Sequence, residues 1–93
     1  MSKARRHPNP ADLFLVIEVS DSTLTYDRRD KGPAYARNGV REYWLLNLAD
    51  NVLEVFREPT VAGYGEVRTL GADETIAPLA FPDLSLRIGD FLP

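Results

Sequence analysis

Glu18 interrupts an apolar run that starts at Leu13, and it stands close to the end of that run. A carboxylate at the end of a buried strand is costly to desolvate without a partner. A metal ion or an ammonium group could serve; alternatively, Glu18 emerges into solvent where the strand stops. Asp27 and Lys31 follow, four positions apart, and a helix would set them on one face, with Tyr35 one turn further along it. That spacing suits a surface ion pair worth a few tenths of a kcal/mol, or a carboxylate and an ammonium aimed at one site. The single histidine, His7, lies in the opening stretch and reads as solvated. No glycine-rich phosphate loop occurs, and a lone histidine there cannot serve a Ser-His-Asp set.

The elements that must position these groups are legible from pattern. Leu13 to Val19 predicts a strand; its continuous apolar character suits burial on both faces of a sheet. Ser20 to Thr25 is rich in helix-capping residues, so a helix is expected from about Leu24 to Asn38, ended by Gly39 in a left-handed conformation. Gly32 and Pro33 fall inside it and predict a kink or a late start around Lys31. Glu42 to Leu48 and Val52 to Phe56 read as a hairpin, turning at Ala49-Asp50-Asn51, with Val52, Glu54 and Phe56 on one side and Leu53 and Val55 on the other. Tyr43 and Trp44 read as sheet packing. Glu58 to Gly65 reads as a loop, Glu66 to Leu70 and Thr75 to Ile76 as strands, Pro82 to Ile88 as extended, and Gly89 to Leu92 as a terminal turn.

Strand, helix and strand at this spacing form a βαβ unit, with parallel neighbouring strands and a right-handed crossover. Ligands in such sheets favour the carboxyl ends of the parallel strands, which is where Glu18 stands. The expected fold class is α/β, a mixed sheet in which the βαβ unit is followed by antiparallel strands.

The chain has 93 residues, enough for one modest core. Residues 1–11 form a basic arm with two prolines close together and are expected to be flexible, leaving 12–93 as the folded unit. The absence of cysteine excludes disulfides and thiolate metal sites. The longest apolar run is far short of the ~20 residues a membrane span needs, and no signal peptide is evident, so a cytoplasmic protein is expected. A net charge of −3 argues against coating DNA by charge alone, yet carboxylates that hold a cation would themselves add negative charge.

The stretches "VIEVSDSTLTYDRRDK" and "AYARNGVREYWLLNL", with the tail from Ile76 to Leu86, resemble the Uma-two family, and the resemblance runs from about His7 to Leu92. That family resembles the PD-(D/E)XK restriction-endonuclease superfamily, in which carboxylates on adjacent strands hold Mg²⁺ and a lysine positions or activates the attacking water. The resemblance implies a restriction-endonuclease-like core, a Mg²⁺-dependent endonuclease activity on phosphodiesters, and DNA as partner. Carried over, Glu18 matches the metal-binding glutamate. The lysine expected two residues later is replaced by Ser20, and Lys31 on the following helix takes its place as the catalytic lysine. Tyr26 and Asp27 match the family's tyrosine–aspartate pair and, with Ser20 and Tyr35, are supporting residues.

Two departures accompany the resemblance. Gly32 stands where the family has a larger apolar residue. The family's second metal-binding aspartate lies on an earlier strand. Asp12 cannot replace it, because six residues of strand put it about 20 Å from Glu18; Asp21 and Asp27 are nearer but lie on loop and helix. The chain is therefore expected to be the C-terminal portion of the fold, lacking N-terminal strands, weak or inactive as a nuclease, and oligomeric through an exposed edge of strand 13–19. The alternative expectation is a non-catalytic remnant that serves as an oligomerisation or binding module.

Overall fold

The computed structural model describes residues 13–22 and 26–93. The basic arm, Asp12 and the expected helix start at Leu24 lie outside the described residues. The elements are β1 (Val16–Ser20), a wide helical turn (Asp27–Lys31) that runs into α1 (Gly32–Arg37), β2 (Glu42–Asn47), β3 (Val52–Thr60), β4 (Gly63–Leu70), β5 (Thr75–Ile76), β6 (Leu86–Arg87) and a 3-10 turn (Ile88–Asp90). A four-stranded mixed sheet has the order β1-β2-β3-β4, and β5 pairs with β6. The α/β class and the βαβ unit expected from the sequence are both present.

β1 and β2 run parallel, with Glu18 beside Leu45 and Ser20 beside Asn47. β2 then turns back into antiparallel β3. Asn51 takes the left-handed conformation in that turn (φ 57°), which asparagine tolerates, and the Asp50 N–H donates to Asn47 Oδ1 at 3.0 Å. The helix ends as its sequence requires. Gly39 is left-handed (φ 80°), and its N–H donates to the Ala36 carbonyl at 3.0 Å.

The kink expected near Lys31 takes the form of a π-type turn. The Gly32 N–H donates to the Asp27 carbonyl, five residues back instead of four. Pro33 follows at the start of regular α-helix. A proline has no N–H to give and its ring crowds the carbonyl four residues earlier, so widening the preceding turn lets the helix pass through it.

Period-two alternation gives the sheet two dressed faces. On one, Tyr43, Leu45 and Phe56 pack with Val16, Tyr35 and Tyr64 under α1. On the other, Trp44, Leu46, Leu53, Val55 and Leu70 pack against Ile76 and Ile88, with Phe91 and Leu92 at the margin. Phe56 thus lies opposite Leu53 and Val55, as the alternation predicts.

Four expectations are corrected. Strand pairing begins at Val16, not Leu13. β1 is buried on one face only: Ile17 and Val19 are 55% and 61% exposed, because among the described residues β1 is the sheet edge. The stretch Glu58 to Gly65 is mostly hairpin. β3 continues to Thr60, β4 begins at Gly63, and Pro59 pairs with Tyr64. β2 stops opposite Arg57, so beyond that point β3 has only β4 to bond, and proline is tolerated there. The Tyr64 hydroxyl, donating to the Val40 carbonyl at 2.7 Å, anchors the extension. Finally, of the extended piece from Pro82 to Ile88, only Leu86–Arg87 is strand. No helix among the described residues is long and apolar enough to cross a membrane.

Candidate active site

The pleat of β1 puts Val16, Glu18 and Ser20 on the face that α1 covers, near the carboxyl end of the strand. The wide turn brings the start of the helix over the same spot. Glu18 is thereby surrounded by donors from the wide turn, from α1 and from β2. Tyr35 donates its hydroxyl to Glu18 Oε2 at 2.8 Å, and Lys31 Nζ stands 3.4 Å from the same oxygen. From the sheet, the Tyr43 hydroxyl reaches Glu18 Oε1 at 3.4 Å. Asp27 closes the group, its Oδ1 3.6 Å from Lys31 Nζ. Asp27 is buried at 4% side-chain exposure, Glu18 half-buried at 22%, and Lys31 more open at 38%. Glu18, Val19, Asp27 and Lys31 line a cavity of about 240 Å³.

Of the two partners expected for Glu18, the structure supplies the ammonium. The sequence reading of Glu18, Asp27, Lys31 and Tyr35 as one constellation corresponds to one cluster in space. Tyr26 is exposed beside it, its ring centroid 5.8 Å from Lys31 Nζ. Ser20 is buried two positions further along the same face of β1, where its backbone carbonyl accepts the Leu48 N–H at 2.9 Å. It is not among the residues that line the cavity. Asp21 is exposed in the segment after β1.

Tyr43 is the site residue that pattern reading missed. It is fully buried and packs against Tyr35 (ring centroids 5.1 Å apart), so treating it as core is half right. The missing signal was register. In a parallel pair, Val16 beside Tyr43 gives both the same face, and Glu18 shares that face.

The local electrostatics follow from the contacts. Glu18, then Asp27, hold the Lys31 ammonium above the ordinary lysine value, so it stays protonated at neutral pH. Burial, and then the hydrogen bond to Glu18, raise the Tyr35 phenol. Burial raises Tyr43 strongly, with the Glu18 charge as the next cause. Both phenols therefore remain donors to the carboxylate.

Two other buried carboxylates have structural partners. Glu42 is fully buried and accepts from Trp44 Nε1 (2.7 Å), Arg57 Nε (2.7 Å) and the Leu79 N–H (2.8 Å). Glu54 accepts from both arms of the Arg28 guanidinium and from Asn47 Nδ2 at 3.1 Å. An apolar cavity lined by Ile17, Trp44, Leu46, Leu53 and Phe91 lies on the opposite face of the sheet and offers no reactive group.

The donor set of the Glu18 cavity bears on a metal ion. Among the described residues, no group of three or more His, Cys, Asp or Glu is placed to hold one. Mg²⁺, however, is commonly held by one or two carboxylates, with waters and substrate phosphate completing its shell. Glu18 and Asp27 supply two oxygen-donor carboxylates around one cation, the Lys31 ammonium, and so fit a hard cation.

Residues 2–89 match the sequence model of the Uma2 family, whose description is "Putative restriction endonuclease". A comparison with curated proteins finds no match.

Proposed function

The chain belongs to the Uma2 family of restriction-endonuclease-like proteins, and from that premise we propose that it is a metal-dependent nuclease domain hydrolysing phosphodiester bonds in DNA in the cytoplasm. Glu18 and Asp27 would hold Mg²⁺, and Lys31 would act on the attacking water and the phosphate. The bound cation would supply Lewis-acid polarisation of the phosphate and a more acidic water. Hydrolysis would break one P–O ester bond, the hydroxyl of a water joining phosphorus and the proton it gives up passing through solvent to the leaving oxygen.

The chain's own groups support distinct parts of that reaction. Lys31 is an ammonium at neutral pH, so its part is to donate hydrogen bonds and offset charge growing on the phosphate oxygens, not to accept a proton. Tyr35 and Tyr43 each donate to a different oxygen of the Glu18 carboxylate and fix its direction. Tyr26 presents an exposed aromatic face at the margin of the site.

The observation that carries this reading is the convergence of Glu18 and Lys31, 3.4 Å apart, at the carboxyl end of β1 in one polar cavity. The test is cleavage of plasmid DNA with Mg²⁺ and with EDTA, for the native chain and for Glu18→Ala and Lys31→Ala. Weak cleavage that needs Mg²⁺ and falls to background in both variants is expected. Activity unchanged in both would remove these assignments.

A second reading, an oligomerisation module, is favoured by one observation. Ile17 and Val19 are exposed side by side on edge strand β1, and such an edge can pair with another copy. It predicts a dimer at micromolar concentration in sedimentation velocity, lost in Ile17→Lys and indifferent to Glu18→Gln.

A further inference from the structure

Lys31 occupies the place between Glu18 and Asp27 that a cation shared by the two carboxylates would take. Its Nζ stands 3.4 Å from one and 3.6 Å from the other, and all three side chains line the same cavity. Mg²⁺ coordinates oxygen at about 2.0–2.1 Å, closer than the ammonium stands. An ammonium and a dication cannot share that space, and their charges repel. Lys31 nevertheless has somewhere to go. Its side chain is 38% exposed, and Nζ already stands over the exposed ring of Tyr26, 5.8 Å from the centroid; that aromatic face attracts the ammonium and can keep it when the carboxylates release it.

We infer that Lys31 is a tethered counter-ion that holds Glu18 and Asp27 together until a divalent cation displaces it, and that the displaced ammonium is then presented to the substrate phosphate. This rests on the nuclease reading for its choice of carboxylates and goes beyond it in direction. A lysine that merely supported the site would strengthen cation binding. A lysine that competes for the site weakens it. The device keeps two acidic side chains compatible with one fold when no cation is bound, and it couples cation entry to exposure of the positive charge that the phosphate needs.

The test is calorimetric titration of MgCl₂ into the full chain and its variants, each first shown to be folded by circular dichroism and by Trp44 fluorescence. Lys31→Met removes the charge and keeps the length, and binding should tighten about tenfold, the scale of one like-charge contact in a half-exposed site. Lys31→Gln, a second neutral variant, should do the same. Lys31→Arg keeps the charge and should stay within about twofold of the native chain. Glu18→Gln should lose binding. Equal or weaker Mg²⁺ binding in both neutral variants overturns the inference. DNA cleavage by the same samples separates the two ideas. A native chain that cleaves, with neutral variants that do not tighten, sinks the counter-ion alone. Neutral variants that tighten, with a native chain that never cleaves, sink the nuclease reading and leave the counter-ion standing.

Discussion

The hydroxyl of Tyr35 on α1 donates to the carboxylate of Glu18 on β1 at 2.8 Å, across a sequence separation of 17 residues. Among the described residues this is the shortest hydrogen bond to the Glu18 carboxylate, ahead of Lys31 and Tyr43 at 3.4 Å each. It ties the helix to the edge strand at the point where the candidate chemistry is placed. Tyr35→Phe keeps the ring packed on Tyr43 and removes only the donor. Hydrogen bonds to a charged group contribute about 1.5–3 kcal/mol when sheltered. Glu18 is partly hydrated, so about 1 kcal/mol is expected, read as a lower urea midpoint with Trp44 fluorescence as the probe. Tyr43→Phe, losing a longer bond, should cost less. A larger loss for Tyr43→Phe than for Tyr35→Phe would reverse the ranking of the two phenols.

Glu42 should matter more to stability than any residue of the cavity. It is fully buried, and three donors depend on it. Glu42→Ala leaves Arg57 Nε, Trp44 Nε1 and the Leu79 N–H without their acceptor, with the Ala77 carbonyl, 2.8 Å from Arg57 Nη2, still holding the guanidinium, and removing one partner of a buried charge pair costs about 3–5 kcal/mol. Glu54→Ala should cost distinctly less, because its main partner, Arg28, is 47% exposed and can be rehydrated. Chemical denaturation of both variants tests the order. Equal midpoints would mean that Glu42 and Arg57 are not the tie between sheet and C-terminal segment that the geometry describes.

Gly32→Ala should stabilise. Gly32 has ordinary helical geometry (φ −56°, ψ −54°), so glycine is not needed for its backbone. An added Cβ would lie 3.6 Å from the Asp27 carbonyl oxygen and 3.6 Å from the Tyr43 ring, both normal contacts. Alanine in a helix is favoured over glycine by about 0.5–1 kcal/mol, and a rise of about 2–8 °C in melting temperature is expected. The departure at Gly32 noted in the sequence therefore weakens the helix without changing how it packs. A fall in melting temperature would show that the π-type turn needs glycine where α1 begins.

What was legible in the sequence follows the range over which each signal acts. Gly39 and the Asp50-Asn51 turn act locally, and the βαβ unit follows from the order of its elements; all three were readable. The Asp27–Lys31 spacing was readable as a shared face because even a widened turn leaves residues four apart close together. The single-faced burial of β1 was not, since a continuous apolar run reports on the residues and not on what covers them. Nor was the hairpin through Pro59. It is anchored by Tyr64 reaching Val40, a contact across 24 positions that no short pattern carries. Tyr43 as a partner of Glu18 needed the β1–β2 register, which pattern alone leaves open.

Raised pH should destabilise the fold beginning near pH 10, and the sign can be worked out from the groups concerned. Tyr35 and Tyr43 are raised above the ordinary phenol value, chiefly by burial, and Tyr64 is pushed up to about 12 by the same cause. Lys31 is raised by Glu18. Each of these groups binds its proton more tightly folded than unfolded. Their contribution is therefore complete below the unfolded values, about 10 for tyrosine and 10.4 for lysine, and is lost as pH climbs through the folded ones. The unfolding free energy should be flat with respect to these groups from pH 7 to 9 and fall between pH 10 and 12. Urea titrations at stepped pH check this, and absorbance at 295 nm should show buried tyrosines ionising only as the chain unfolds. Tyr43→Phe should flatten the alkaline decline, since the most strongly raised phenol is then absent. Stability that holds or rises from pH 10 to 12 would mean that the phenol cluster around Glu18 is open to water.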